Sequence, residues 1–262
     1  MKKTIVPIVL MIVALTALSF TAGKGITLRL SPTKGKTYVI DTKTNQTTTM
    51  KIQGHSMNSI QRVEMKQTFS AKEVSNNSIT LNTQIDAIKM AVTTMGMTLN
   101  YDSENPQSIS PMIADQAQEF DAIIKKPTDV TYDVLGHLTE ADDNDMSHQL
   151  SNAIIELPEE ELSVGSQWTF VKSQNISDYD VNVNMIYTVT AISKKSVDVS
   201  FTGTIDAKEI SGTYNGTASI NAHTGIVMTC TLENSMSATV SEQGMEIPIT
   251  ITGTATISVK EQ

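Results

Sequence analysis

The strongest constraint on this chain is alternation. The stretches "SITLNTQI", "VNVNMIYTVTAI", "VDVSFTGTI" and "EIPITITGTATISV" set a branched or apolar residue at every second position, with Thr, Ser, Asn or Asp between. A period of two places one residue set on one face of a ribbon and the other set on the opposite face, so these segments read as half-buried antiparallel strands. The abundance of Thr, Val and Ile fits a pleated surface. Asn76-Asn77 accepts the positive φ values of a two-residue hairpin, and Gly54, Gly96, Gly225 and Gly244 mark further reversals. Lys194-Lys195 is a poorer turn pair, placed in a turn by its flanking serines.

Two segments break the alternation. In "SPMIADQAQEFDAIIKKP", near 110–126, Ser110 can cap, Pro111 suits the first helical position, Ile113, Ala117, Phe120 and Ile124 share one face, and Lys125-Lys126-Pro127 end the helix. A second helix is expected near 143–157, in "DDNDMSHQLSNAIIELP". There acidic residues sit at the positive end of the dipole, and Met146, Leu150, Ile154 and Leu157 form the apolar stripe. The Pro158-Glu159-Glu160-Glu161 run reads as a solvated linker.

Landmarks recur in order along the chain. Gly35-x-x-Tyr38 matches Gly165-x-x-Trp168, the Ser75–Ser78 turn matches Ser193–Ser196, and Ile85-Asp86-Ala87 matches Ile205-Asp206-Ala207. Gly136 then matches Gly225 at a shorter offset, because the first copy carries the extra helical insertion. Matched order over four landmarks predicts an internal duplication. The expected fold is α+β, mainly β: two related antiparallel curved sheets, unit 1 over 26–157 and unit 2 over 158–262, with both helices in or after the first unit.

Residues 1–22, "MKKTIVPIVLMIVALTALSFTA", have two lysines, an apolar run and then small residues, the layout of a cleaved secretory signal. The run is shorter than a membrane span, and Pro7 interrupts it. No cysteine lies near the cut for lipid attachment, so the expected product is periplasmic or secreted, with no stable membrane span. The formal charge is −9, from 19 basic and 28 acidic residues, and aromatic residues make up 5% of the chain. Both features argue against nucleic acid as a partner. The lone Cys230 cannot form an internal disulfide and reads as a small apolar side chain.

"GITLRLSPTKGKTYVI", "IDAIKMAVTTMGMTLNYDSENP", "LPEEELSVGSQWTF" and "GMEIPITITGTATISV" together resemble a family of secreted Gram-negative bacterial proteins classed as a domain of unknown function. The resemblance implies an exported, β-rich envelope protein and assigns no catalytic or binding residue.

Reactive constellations are scarce. The four histidines, His55, His137, His148 and His223, show no metal-ligand spacing, although His137 and His223 sit at corresponding glycines of the two units. Neither a Gly-x-Ser-x-Gly elbow nor a Cys-His pairing occurs, and the adjacent His55 and Ser56 of "GHSMN" would point to opposite faces of a strand. The "DDND" run lacks the glycine and distal Glu of a calcium loop. No enzyme activity, cofactor or metal is expected.

Methionine is the unusual residue, 14 in all. Several crowd the first unit, at spacings too loose for a copper site. They serve either as core filler or as an adaptable apolar lining. The favoured function is therefore an exported, non-catalytic envelope protein that binds a hydrophobic small molecule or lipid in a Met-lined cleft. Met50, Met65, Met90, Met95 and Met97 would face Phe120 and Ile124 of the first helix. The alternative is a structural or assembly module that pairs with another envelope protein through its strand edges.

Overall fold

The computed structural model describes residues 25–52, 54–141, 153–176, 179–207, 210–242 and 245–262. The leader expected at 1–22, the "DDND" run, His148, and Met146 and Leu150 of the second expected helix lie outside the described residues.

The chain is mainly β. Its strands are β1 (Thr37–Ile52), β2 (His55–Val74), β3 (Ile79–Thr94), β4 (Met97–Asp102), β5 (Thr128–Tyr132), β6 (Leu138–Ala141), β7 (Gln167–Ile176), β8 (Tyr179–Ile192), β9 (Ser196–Asp206), β10 (Ile210–Asn221), β11 (Val227–Glu242) and β12 (Met245–Glu261). These twelve strands of the described residues belong to one antiparallel sheet of order β6-β5-β3-β2-β1-β12-β11-β10-β9-β8-β7, with β4 paired to β3 beside the main path. The two separate sheets expected from the repeat are thus corrected to one. The reason is the β1–β12 ladder, which runs from Tyr38↔Glu261 to Met50↔Ile249 and hydrogen-bonds the first strand to the last.

The landmarks of the repeat share local geometry within this sheet. Ser75 Oγ accepts from the Ser78 N–H at 3.0 Å and Ser193 Oγ from the Ser196 N–H at 2.9 Å, so the serine hydroxyl ties the turn where Lys194-Lys195 alone would not. Gly35 and Gly165 enter β1 and β7 with φ of 81° and 89°. Gly136 and Gly225 end the turns after β5 and β10, also at positive φ, and a Cβ at either would lie 2.5 Å from a backbone oxygen, of Ile155 and Arg29 respectively.

Helix α1 spans Ala114–Ile123, one turn shorter at its start than expected, because Pro111–Ile113 forms a 3-10 turn. Ser110 does not cap that turn with its side chain. Its Oγ instead accepts from the Asn100 N–H at 2.9 Å, tying the turn to β4. The second expected helix is corrected where it is described: residues 153–157 are turn and coil, and Ala153, Ile154 and Leu157 are buried. This segment serves the main core as an extended strap, with the Val227 N–H donating to the Ala153 carbonyl at 3.0 Å and the Trp168 Nε1–H to the Glu156 carbonyl at 3.0 Å. Pro158 at the head of the expected linker is also buried, while Glu159, Glu160 and Glu161 are exposed.

The core sits at one end of the sheet. Leu28, Leu30, Tyr38, Phe69 and Leu81 of the first half pack with Val197, Phe201, Ile220, Ile257 and Val259 of the second, so both halves share one core. A smaller cluster lies under α1, where Ile113 and Ala117 bury against Ile85, Ile88 and Tyr101. The Tyr101 hydroxyl donates to Asp121 at 2.7 Å and its ring lies 5.0 Å from that of Phe120.

Candidate functional site: the distal end of the apolar sheet face

Register defines what each face presents. Opposite Tyr38, Ile40, Thr42 and Thr44 of β1 stand Phe69, Gln67, Met65 and Val63 of β2, and on the other side Thr42 and Thr44 oppose Ile257 and Ala255 of β12. One step further out this face turns polar, with Gln61, Gln46, Gly253 and Asn234 in one row across β2-β1-β12-β11. Beyond that amide belt Ile251 pairs with Met236, in a row that Thr48 and Ser59 complete on β1 and β2. The face is then apolar again: Met57, Met50, Ile249 and Ala238 form a complete row, with Ile247 opposite Val240 beyond it. The reverse face of the same strands carries Thr, Ser, Asn, Lys and Glu, among them Thr250, Thr252, Thr254 and Thr256 of β12.

This distal patch belongs to neither core cluster. Met50, Met57, Met236, Ile247, Ile249 and Ile251 are half-buried, while Val240 and Met245 at the β11–β12 tip are exposed. From Gln46 to Ile52 the patch runs six residues, about 20 Å of strand. Glycines help to smooth this face on the side of the second half. Met236 Cγ lies 2.6 Å from where a Gly212 Cβ would stand, and Asn234 Oδ1 2.6 Å from a Gly253 Cβ, so large side chains lie flat over the glycines instead of standing up.

The belt is equipped to meet a polar group. Gln46 Nε2 donates to Thr48 Oγ1 at 3.5 Å, Gln61 Nε2 contacts Met90 Sδ at 3.6 Å, and Tyr214, opposite Asn234, directs its hydroxyl to Met236 Sδ at 3.7 Å. These are long or soft contacts, which leave much of the amides' hydrogen-bonding capacity unspent. None of these groups is charged, so the belt offers hydrogen bonds without an ionic preference.

The predicted lining residues do not converge on one place. Met65 and Met90 do face Phe120 and Ile124, in the cluster where the side chains of α1 fill the space against the sheet. Met50 lies in the distal patch, whereas Met95 and Met97 form the β3–β4 tip and are 72% and 52% exposed. Met57 belongs to the methionine cluster of the first unit but not to the expected lining, and Met236, Ile249 and Ile251 carry no signal in composition; Ile249 and Ile251 lie in the alternating stretch "EIPITITGTATISV", and following its apolar face beyond the core finds them.

Two other places carry chemistry. On the polar face a trough of about 570 Å³ crosses the same four strands, where Arg62, Asn45, Thr254 and Glu233 form one row. In the turn after β5, His137 Nδ1 lies 2.7 Å from Asp133 Oδ2, and Nε2 lies 3.4 Å from Glu156 Oε2. The hydrogen bond to Asp133 raises the His137 pKa above 6.5, aided by the charges of Asp133, Glu156 and Glu159. Burial pushes Asp133 upward, but the bonds it accepts from the His137 ring and from the His137 and Leu135 backbone leave it below its ordinary value. His223, at the corresponding turn, is exposed. Among the described residues, no group of three His, Cys, Asp or Glu side chains is arranged to hold a metal ion. No described helix is long and apolar enough to cross a membrane.

Comparison with known proteins places part of the chain. Residues 138–227 are similar to a family of unknown function, DUF6263, whose model matches them. The match begins at β6 and ends at the start of β11, across the boundary expected between the two units. No curated protein matches the chain. Among solved structures, lipovitellin shares 12% identity at a TM-score of 0.55 over 88% of this chain, and this chain spans 26% of that one. At that identity the likeness concerns the fold. The translocator domain of the autotransporter NalP from Neisseria meningitidis matches at a TM-score of 0.36 with 10% identity, covering 85% of this chain and 88% of that one.

Proposed function

We propose that this is an exported, non-catalytic protein of the bacterial envelope that binds an amphiphile. The apolar tail lies on the distal patch of Met50, Met57, Met236, Ile249 and Ile251, and the polar head meets the amide belt of Gln46, Gln61 and Asn234. The carrying observation is the order of rows along one face: core, amide belt, then a second apolar zone outside either core cluster. An apolar surface left in water is a standing cost, worth about 25 cal/mol per Å² when removed, whereas the trough on the reverse face is lined mostly by polar and charged groups such as Arg62, Asn45 and Glu233, which water solvates well. Each methylene buried on the patch contributes about 0.8 kcal/mol, so a long acyl chain gathers enough to offset the cost of association. The fold likeness to lipovitellin, whose structure concerns lipid–protein interactions, agrees with this ligand class. The repeated turns support descent of the two halves from one duplicated unit.

Native mass spectrometry with added oleate tests the reading. A one-to-one adduct is expected with the wild-type protein and its loss in an Ile249→Asp, Met236→Asp variant that keeps the wild-type circular dichroism. An equal adduct in both proteins sinks the proposal.

A second reading has one observation in its favour. Among the described residues strand β7 pairs on one side only, with β8, and Val171 on it is 65% exposed, so its outer edge offers backbone groups to a strand of another protein. Crosslinking from a photoreactive residue at position 171 in intact cells would capture one defined protein if this edge is an assembly site.

A further inference from the structure

The amide belt stands in a stretch of sheet face without carboxylate, ammonium, guanidinium or imidazole. On β2, β1, β12 and β11 the flanking rows, from Val63 to Leu232 inward and from Ser59 to Met236 outward, are apolar or hydroxylic. Along these four strands the first such group on this face is His55 at the β1–β2 tip, six residues from Gln61 and so about 20 Å away. Arg62 and Glu233 alternate onto the reverse face, where they line the trough.

Helix α1 brings no ionic partner to the belt either. Its Asp121 accepts from the Tyr101 hydroxyl at 2.7 Å, and its other acids, Asp115 and Glu119, are exposed. Lys125, the first cation after the helix, is tied by its backbone N–H to the Ile85 carbonyl, level with Gln67 and again about 20 Å of strand from Gln61. Such separations exceed the Debye length of about 8 Å at physiological salt. A carboxylate or phosphate seated at the belt would lose water and meet no cation, and an ammonium would meet no anion.

What the belt supplies is donors and acceptors together. Gly253 leaves a gap in the row, and Asn234 Oδ1 lies across it, 2.6 Å from where a Gly253 Cβ would stand. Asn234 thus leans from β11 toward Gln46 on β1, two strand spacings or about 10 Å away. Both side chains are half-buried. Tyr214, paired with Asn234 on β10, adds a hydroxyl whose acceptor within the fold is the soft sulfur of Met236 at 3.7 Å. An amide both donates and accepts, as an alcohol does, whereas a carboxylate only accepts and an ammonium only donates.

We infer that the amphiphile taken by this face has an uncharged, hydroxylated head, as in a monoacylglycerol, seated over Gly253 between Gln46 and Asn234. The inference rests on the proposed function for the place of the tail. The chemistry of the head is carried by the belt and by the uncharged face around it.

Calorimetric titration of the full chain with monodecanoylglycerol and with decanoate, at about pH 8 and below the micelle concentration of each, compares two heads on one tail. The monoglyceride is expected to bind about tenfold more tightly. A Gln46→Lys variant that keeps the wild-type circular dichroism should reverse the order, because it sets a cation beside the head. Equal affinities in the wild-type protein, or tighter binding of decanoate, overturn the inference and leave the amphiphile site standing. An order that Gln46→Lys does not change overturns it too, since the head would then lie away from the belt. Binding of neither ligand counts against the amphiphile site itself, and the inference falls with it.

Discussion

Tyr38 stacks on Phe69 across the β1–β2 ladder, with ring centroids 4.8 Å apart and planes 13° from parallel, and Trp168 stacks on Tyr187 across β7–β8 at 4.9 Å and the same 13°. Each pair stands where its half of the chain enters the sheet, and both pack into one core. The halves should therefore unfold together. Phe69→Ala and Tyr187→Ala should each cost about 3–5 kcal/mol and lower the midpoint of a single urea transition. Two separable transitions, each sensitive to one substitution, would contradict a shared core.

Gly216 is the described glycine whose Cβ would come nearest to backbone. A Cβ there would collide with the Thr231 carbonyl oxygen and the Phe201 ring, and backbone cannot swing aside as a flexible side chain can. Gly216→Ala should therefore destabilise by about 1–3 kcal/mol, although alanine is the better strand residue. Thermal melting against a Gly216→Ala, Phe201→Leu double variant checks the cause. Partial recovery is expected, limited by the carbonyl contact that remains.

Cys230 lies on the apolar face opposite Ile257 and Ala218, and burial pushes its thiol up to about 11. The thiolate is the reactive form, so at about pH 8 alkylation by iodoacetamide should be far slower than for a free cysteine. Unfolding in urea should restore the ordinary rate. Fast labelling of the folded protein would mean that the β11 face opens readily.

Much of the architecture was legible because strand alternation and turn chemistry act locally. The Ser75 and Ser193 turns, the positive-φ glycines and the helix after Pro111 all follow from neighbours in sequence. The single sheet was not legible, because the β1–β12 ladder joins residues 199 to 223 positions apart, from Met50↔Ile249 to Tyr38↔Glu261, and nothing in "TYVIDTKTNQ" names its partner. The strap at 153–157 misled for a related reason: Ile154 and Leu157 are spaced like a helix face, yet their burial is set by the Trp168 indole and the Val227 backbone. The methionines misled differently. Composition marked them, but only register separates Met65 and Met90, which fill a core, from Met50, on the distal patch, and Met95, at a tip.

His137 gives the fold a pH dependence with a definite sign. Its folded pKa is raised above 6.5 by the bond to Asp133 and by the charges of Asp133, Glu156 and Glu159. The stabilisation is therefore fully present below 6.5 and is lost as pH rises through the folded value. Asp133 sets the acid limit, because its lowered pKa means that its share is present above 3.8 and disappears as pH falls through the folded value. The His137 side chain is 45% exposed, so solvent holds the pair to no more than about 1 kcal/mol. What the pair holds is the strap, since Glu156 lies within it and its carbonyl receives the Trp168 indole. Melting curves of wild type and His137→Gln should differ by about 2–4 °C just below pH 6.5 and converge by about pH 9. Hydrogen exchange should show the loss first at the Leu157 and Val227 amides, whose bonds fix the strap at Leu135 and Ala153. A difference that widens with rising pH would reverse the sign and rule out His137 as the clamp.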